Sequence, residues 1–178
     1  MKKALFLDRD GIINVDHGYV YKQEEFEFVD GIFELCQKAL SRGYDIFVIT
    51  NQSGIARGMY SEQQFADLTA WMKNKFADQG VTISDVYYCP HHPTKGNAPY
   101  VMSCDCRKPE PGMILKAVSE HNVDVSESMF IGDKLSDMLA AERAGVKDKV
   151  LVRSNYADEE VSVAEEFANI RSITERFF

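Results

Sequence analysis

Five short apolar runs recur along the chain, at Ala4 to Leu7, Ile46 to Ile49, Val86 to Tyr88, Met129 to Ile131 and Val150 to Val152. None alternates apolar with polar positions, so each predicts a strand buried on both faces. Between the runs the period changes. Ile32, Leu35, Cys36, Ala39 and Leu40 follow the i, i+3, i+4, i+7, i+8 spacing of an amphipathic helix that stops at Gly43. Ser61 and Gln64 form a capping-box pair that opens a second helix, with Phe65, Leu68, Met72 and Phe76 on one stripe. A third helix is predicted from about Pro111, aligning Ile114, Ala117, Val118 and His121, and a fourth from about Ser136 to Ala144, closed by Gly145. Strand and helix alternate. That predicts an α/β fold with a doubly wound, mostly parallel Rossmann-like sheet, helices on both faces, and ligands at the carboxyl ends of the strands. Residues 16–28 and 89–111 follow neither period, and both are too short for a separate cap domain. No repeat, low-complexity tract or linker interrupts residues 1–178, which are expected to form one domain.

Composition narrows the classes. A chain of 178 residues that is 45% hydrophobic and 11% aromatic can build a core without disulfides and is not intrinsically disordered. Lys and Arg number 20 against 28 Asp and Glu, and the net charge of -8 argues against nucleic-acid or membrane-surface partners. Only four apolar residues separate Lys3 from Asp8. That is short of the roughly 7 to 15 of a signal sequence, and no run approaches the ~18 of a membrane span. A cytoplasmic monomer is the expectation. Cys36 lies on an apolar helical stripe and reads as core, as do Met72 and Phe76. Trp71 reads as packing, His121 as a helix-end residue, and the acidic stretch Asp158 to Glu166 as a solvated helix face.

The chemistry sits where the strands end. The first strand runs into Asp8-Arg9-Asp10-Gly11, two carboxylates two residues apart followed by a glycine that permits a sharp turn. The second ends in Thr50-Asn51-Gln52-Ser53-Gly54, hydroxyls, amides and backbone N–H groups suited to an oxyanion. Arg107 and Lys108 precede a helix, and the fourth strand ends in Gly132-Asp133-Lys134, with Asp137 four residues beyond Asp133 on an expected common helix face. Two like charges ~4 Å apart repel by about 4 kcal/mol at an effective dielectric of 20, so converging aspartates demand a cation. Hard oxygen ligands suit Mg²⁺.

A second metal is suggested by Cys89-x-His91 and Cys104-x-Cys106, separated by twelve residues. Three thiols and an imidazole suit a closed tetrahedral Zn²⁺ site in the loop 89–107, and a reducing compartment favours metal over disulfide. His92 is the rival to His91, and spacing leaves the choice open.

Taken in order, DRDG, TN, RKP and GDKxxD, each after a strand, resemble the haloacid dehalogenase (HAD) superfamily of phosphatases. The stretches Asp16 to Val20, Thr50 to Gly58, Tyr88 to Pro93 and Cys104 to Pro109 are similar to those of its bacterial heptose bisphosphate phosphatases, neighbours of the histidinol-phosphate phosphatases. The resemblance reaches Arg153. It implies phosphoryl transfer to Asp8, with Asp10 as acid and base, Thr50 and Lys108 on the phosphoryl oxygens, and Mg²⁺ held by Asp8, the Asp10 carbonyl and Asp133. Asp137 would sit behind them, orienting Lys108 or metal-bound water. It further implies structural zinc on Cys89, His91, Cys104 and Cys106, since in that family the first histidine of the pair is the ligand. Asp16, His17, Gly18, Tyr19, Asn51, Gln52, Ser53, Arg57 and Arg107 would bind a small sugar bisphosphate, which serves ADP-heptose formation for lipopolysaccharide core. Arg57, Arg107, Lys108 and Lys134 supply the local cations that a chain of negative charge needs. One departure stands at Ile12, where the superfamily usually has Thr. The alternatives are histidinol phosphate as substrate, which would favour carboxylates over Arg57 and Arg107, and a zinc-stabilised binding module without catalysis.

Overall fold

A computed structural model describes residues 1–153 and 164–178. Strands β1 (Lys3–Leu7), β2 (Tyr44–Asn51), β3 (Ile83–Cys89), β4 (Met129–Gly132) and β5 (Asp148–Val152) grow from the five apolar runs, and β6 (Glu165–Phe167) is added at one edge. All paired neighbours are parallel, in the order β3-β2-β1-β4-β5-β6. The chain therefore winds outward on one side of β1, returns to its other side at β4, and leaves a crevice at the carboxyl ends where the direction reverses. Leu7 is in register with both Val48 and Ile131, so the residues that follow all three strands emerge at one level.

Period-two alternation sends successive strand residues to opposite faces. Leu5, Leu7, Ile46 and Val48 pack with α1 (Ile32–Ser41), α2 (Glu62–Asp78) and α5 (Ile170–Phe177). Ala4, Phe6, Phe47 and Ile49 pack with α3 (Gly112–His121) and α4 (Leu135–Ala144). Ser61 caps α2 as expected, its hydroxyl accepting from Gln64 N at 3.1 Å while Gln64 Oε1 accepts from Ser61 N at 2.9 Å. Cys36 is fully buried in the first of these cores, and burial pushes its thiol up, which leaves it inert. Ile12 is buried in the same core, where an added hydroxyl would need a partner. His121 closes α3, paired with Asp85 at 3.0 Å.

The irregular stretch 16–28 is tied down by rings. Phe28 lies 4.7 Å from Phe33 and 5.8 Å from Phe76, and Phe26 lies 5.4 Å from Trp71. Two elements depart from expectation. Glu165 and Glu166 stand in β6, with Val150 opposite Glu165 and Val152 opposite Phe167; the rest of the expected acidic helix, through residue 163, lies outside the described residues. The strand exists because β5 offers it an edge. Helix α5 has a side-chain cap, Asn169 Oδ1 accepting from Ser172 N at 2.9 Å, and buries Ile170 and Ile173 against the first core. Among the described residues, no helix is long and apolar enough to cross a membrane.

Phe76 is fully buried, with its ring 5.1 Å from that of Phe33. Phe76→Ala should therefore lower the stability by about 3–5 kcal/mol, read as a fall in the denaturant midpoint with the slope unchanged.

Candidate active site

The turn after β1 is closed by one carbonyl. Arg9 O accepts from the N–H groups of Ile12, Ile13 and Asn14 at 3.2, 2.8 and 3.2 Å, which folds the chain back immediately beyond Asp10. Gly11 in that turn has φ +94°, and a Cβ there would stand 2.1 Å from Asp133 Oδ2. Glycine is required both for the backbone and for the approach of the loop after β4 to the loop after β1.

Three carboxylates meet beneath the crevice. Asp8, Asp133 and Asp137 are all buried, with ligand oxygens within 4.8 Å of one another. Burial and the charge of Asp137 raise the Asp8 carboxyl to about 6 despite Lys108 beside it. Burial with Asp8 and Asp137 raises that of Asp133 to about 8. Three carboxylates against one ammonium in direct contact, with Lys134 a second cation close by, leave a deficit of positive charge, and hard oxygen donors fit a divalent cation such as Mg²⁺.

That ammonium belongs to Lys108, whose Nζ donates to Asp8 Oδ1 at 2.9 Å, Asp137 Oδ1 at 2.6 Å and Ile49 O at 2.8 Å. Burial opposes its charge, but Asp137 and Asp8 more than offset it and hold its pKa above the ordinary value. Asp137 is the third residue of α4, and its Oδ2 accepts from the N–H groups of Asp133 and Lys134 at 3.1 Å each. Asp133 precedes the helix, so the expected common helix face is replaced by a helix N-terminus folded over its own entry loop. Gly132 is part of that fit, since a Cβ there would stand 2.5 Å from Asp137 Cβ.

Above this floor lies a crevice of about 550 Å³. Asp10 reaches it with its side chain 19% exposed, its Oδ1 accepting from Arg9 at 2.8 Å and Asn14 at 3.1 Å and its Oδ2 from Gln52 at 3.1 Å. Asp16, Gly18 and Tyr19 form one wall, with Gly18 N donating to Asp16 Oδ1 at 3.0 Å. Ser53, Arg57, Arg107 and Lys134 also line it, and the Arg57 guanidinium lies 5.7 Å from the centre of the Tyr19 ring.

Other expected contacts are redirected. His17 turns to Glu27 at 2.9 Å, away from this crevice, because the left-handed residues Gly18 and Tyr19 reverse the chain just after it. Asn51 lines the crevice but spends its amide on the backbone of Lys108, accepting from its N–H at 3.0 Å and donating to its carbonyl at 3.2 Å. Gln52 is buried and donates to Asp10 and to Thr50 Oγ1, the latter at 2.9 Å. Thr50 is itself fully buried at the end of β2. Arg9 was not anticipated as a site residue. It is 2% exposed, donates to Val20 O at 2.7 Å as well as to Asp10, and lies 5.8 Å from the Phe26 ring. The sequence held no sign of this, since an arginine between two aspartates reads equally well as solvated. Tyr60, which donates to Gln52 Oε1, was likewise invisible.

Beside the crevice, Cys89, His91, Cys104 and Cys106 converge. Cys89 Sγ lies 3.6 Å from His91 Nδ1 and 3.6 Å from Cys104 Sγ, and Cys106 Sγ lies 3.4 Å from each of the same two atoms. Tetrahedral Zn–S and Zn–N bonds of ~2.3 and ~2.0 Å impose ligand separations of about this size. Cys89 and Cys106 approach to 2.8 Å, and no disulfide forms. Burial pushes the Cys106 thiol up to about 11, a cost that a bound cation removes. His92 lies outside the cluster, and its Nδ1 accepts from Thr94 N and Lys95 N at 3.1 and 2.9 Å.

Comparison with known proteins points to a family of phosphatases. The HAD-hydrolase-like family matches residues 105–172. The chain is 53% identical over 154 residues to D-glycero-beta-D-manno-heptose-1,7-bisphosphate 7-phosphatase of Pasteurella multocida, spanning 86% of this chain and 83% of that protein. It is 50% identical over 151 residues to the protein of the same name from Escherichia coli K12, spanning 85% and 79%. Among solved structures it is similar to a HAD-like phosphatase from Mesorhizobium loti, with a TM-score of 0.87 and 33% identity over 98% of this chain and 83% of that one. It is also similar to D,D-heptose 1.7-bisphosphate phosphatase from B. bronchiseptica in complex with magnesium and phosphate, with a TM-score of 0.83 and 26% identity over 98% and 97%.

Asp137→Ala would leave the Lys108 ammonium and two backbone N–H groups without their partner. A loss of about 3–5 kcal/mol in chemical unfolding is expected, far above that of a surface aspartate.

Proposed function

The chain belongs to the D-glycero-β-D-manno-heptose-1,7-bisphosphate 7-phosphatases of the HAD-like hydrolases, and from that premise we propose that it removes the C7 phosphate of the β-anomer. The observation that carries this reading is the convergence of Asp8, Asp133 and Lys108 under a crevice walled by Arg57, Arg107 and Lys134.

In this reading the Asp8 carboxylate attacks phosphorus and the bond from phosphorus to the C7 oxygen breaks, forming an aspartyl phosphate and splitting one hard hydrolysis into two easier steps. Asp10 gives its proton to the departing alkoxide. As the conjugate base it then takes a proton from water, which attacks the aspartyl phosphate, releases inorganic phosphate and restores Asp8. Lys108 and Thr50 hold the phosphoryl oxygens, Lys108 by giving up one of its three present acceptors, while Asp137 keeps the direction of its ammonium. Asp8, the Asp10 carbonyl and Asp133 are the residues that would hold Mg²⁺. The chemistry it supplies when bound is neutralisation of charge between carboxylate and phosphoryl group.

Arg57, Arg107 and Lys134, with Asp16, Tyr19 and Ser53, meet the second phosphate and the sugar. Cationic walls favour a bisphosphate over a substrate that carries an ammonium. Cys89, His91, Cys104 and Cys106 would hold Zn²⁺ in a closed structural site, which has no open position for water. Arg107 Nη1 reaches back to His91 O at 3.4 Å, so the loop that the zinc closes also aims this arginine. The protein is taken to act as a monomer in the cytoplasm, in ADP-heptose formation.

Phosphate release should be compared on the β- and α-heptose 1,7-bisphosphates and on histidinol phosphate. The β-heptose bisphosphate should lead in kcat/KM by orders of magnitude, activity should vanish in EDTA and return with Mg²⁺, and Asp8→Asn should abolish turnover in a folded protein. A lead for histidinol phosphate would overturn the substrate assignment. Cys104→Ser should lower Tm and the zinc content measured by elemental analysis, and an unchanged zinc stoichiometry would overturn the structural site.

A further inference from the structure

Gln52 follows the strand end whose residues were expected to meet substrate, yet the groups it could offer are engaged inside the protein. Its backbone N–H donates to Cys89 O at 2.8 Å. Its Nε2 carries two hydrogens, and these meet Asp10 Oδ2 at 3.1 Å and Thr50 Oγ1 at 2.9 Å. Its Oε1 accepts from the Tyr60 hydroxyl. An amide is nearly symmetric in shape, so its direction is set by its partners alone. With the opposite orientation Gln52 would present an oxygen to the Asp10 carboxylate and repel it.

Tyr60 supports the observed orientation, since its hydroxyl donates to Gln52 Oε1. Burial raises its pKa, so the hydroxyl keeps the proton that it donates. The ring is held in place, stacked on Tyr21 with centroids 5.3 Å apart and seated against Gly54, where a Cβ would come within 2.2 Å of Tyr60 Cε1. The far oxygen of Asp10 is locked as well. Oδ1 accepts from Arg9 and Asn14, which fills both of its lone pairs. Among the described residues, Oδ2 accepts from Gln52 only and retains one lone pair, so a transferable proton on Asp10 belongs on Oδ2.

We propose that Gln52 is a positioning residue that fixes the proton-bearing Oδ2 of Asp10 toward the crevice, and that Tyr60 fixes Gln52 in turn. This rests on the phosphatase reading above, in which Asp10 protonates the leaving alkoxide. The two residues act on the substrate only through Asp10. Their effect must scale with how much the leaving group needs a proton: a sugar alkoxide needs it, and p-nitrophenolate does not.

The test measures kcat/KM, which reports the steps through leaving-group departure, for β-heptose 1,7-bisphosphate and for p-nitrophenyl phosphate. Wild type, the near-isosteric Gln52→Met and Tyr60→Phe are compared, with Tm recorded for each. Because a positioned general acid contributes about 10²–10⁴-fold, Gln52→Met should lose at least ~10-fold more on the sugar phosphate than on the aryl ester, and Tyr60→Phe should show the same bias at smaller size. Equal losses on both substrates, or none on either, would overturn the positioning role. Should Gln52→Met fail to fold, the bias in Tyr60→Phe decides alone. A wild-type protein that releases phosphate from neither substrate would overturn the phosphatase reading, and the proposal with it.

Discussion

The ammonium of Lys108 is the point on which the site is built. Its three hydrogens go to Asp8 after β1, to Ile49 at the end of β2 and to Asp137 in the first turn of α4. It thereby ties together the ends of strands brought into register by the central parallel pairing. Isolated, a buried charge of this kind would be costly, and a single partner would not repay the loss of water. Three acceptors within hydrogen-bond distance satisfy it, and in return it offsets part of the repulsion among the buried carboxylates. The charge it leaves uncompensated is what fits the same place to a cation.

Holding one side chain so tightly requires its backbone to be held too. Asn51 grips both the N–H and the carbonyl of Lys108, which joins the end of β2 to the segment that leaves the cysteine cluster. That cluster ends at Cys106, with Arg107 and Lys108 directly following. The same loop touches the opposite wall, where Asn97 N donates to Ala56 O at 2.7 Å and Gly96 approaches so closely that a Cβ would lie 2.2 Å from that carbonyl oxygen. The cysteine loop thus braces Arg107 on one side and the segment carrying Arg57 on the other. Geometry in the crevice depends on the packing of a loop outside it.

The charge distribution follows the same division of labour. A chain with a net charge of -8 nevertheless presents Arg57, Arg107, Lys108 and Lys134 at one crevice, each near a strand end. Net charge governs solubility and nonspecific encounters, whereas the local field governs what enters a cleft. Arg9 adds a fifth cation just below, but it is buried and points to Asp10 and Val20 O. It serves the loop and Asp10 rather than the crevice.

Much of this was legible along the chain. Five strands and four helices followed from hydrophobic period, because burial on a regular backbone imposes its spacing on the sequence itself. Asp8, Asp10 and Asp133 were legible because each stands just beyond a strand and a parallel sheet gathers its strand ends on one side, Lys108 because it stands shortly before a helix in order with them, and the Cys3His set because of its paired spacing. The direction in which a polar side chain turns was not legible, since it depends on partners distant in sequence. His17 faces Glu27, Asn51 faces Lys108, Gln52 faces Asp10 and Arg9 is buried among rings, and no local pattern distinguishes these from their solvent-facing equivalents. The strand at Glu165 to Phe167 belongs to the same class, for it is made by the open edge of β5. Sequence alone determined where the backbone would be regular and which chemistry it would carry; tertiary structure decided which polar groups were spent on one another and which were left to face a ligand, because hydrogen bonds across the fold are settled only when the elements meet.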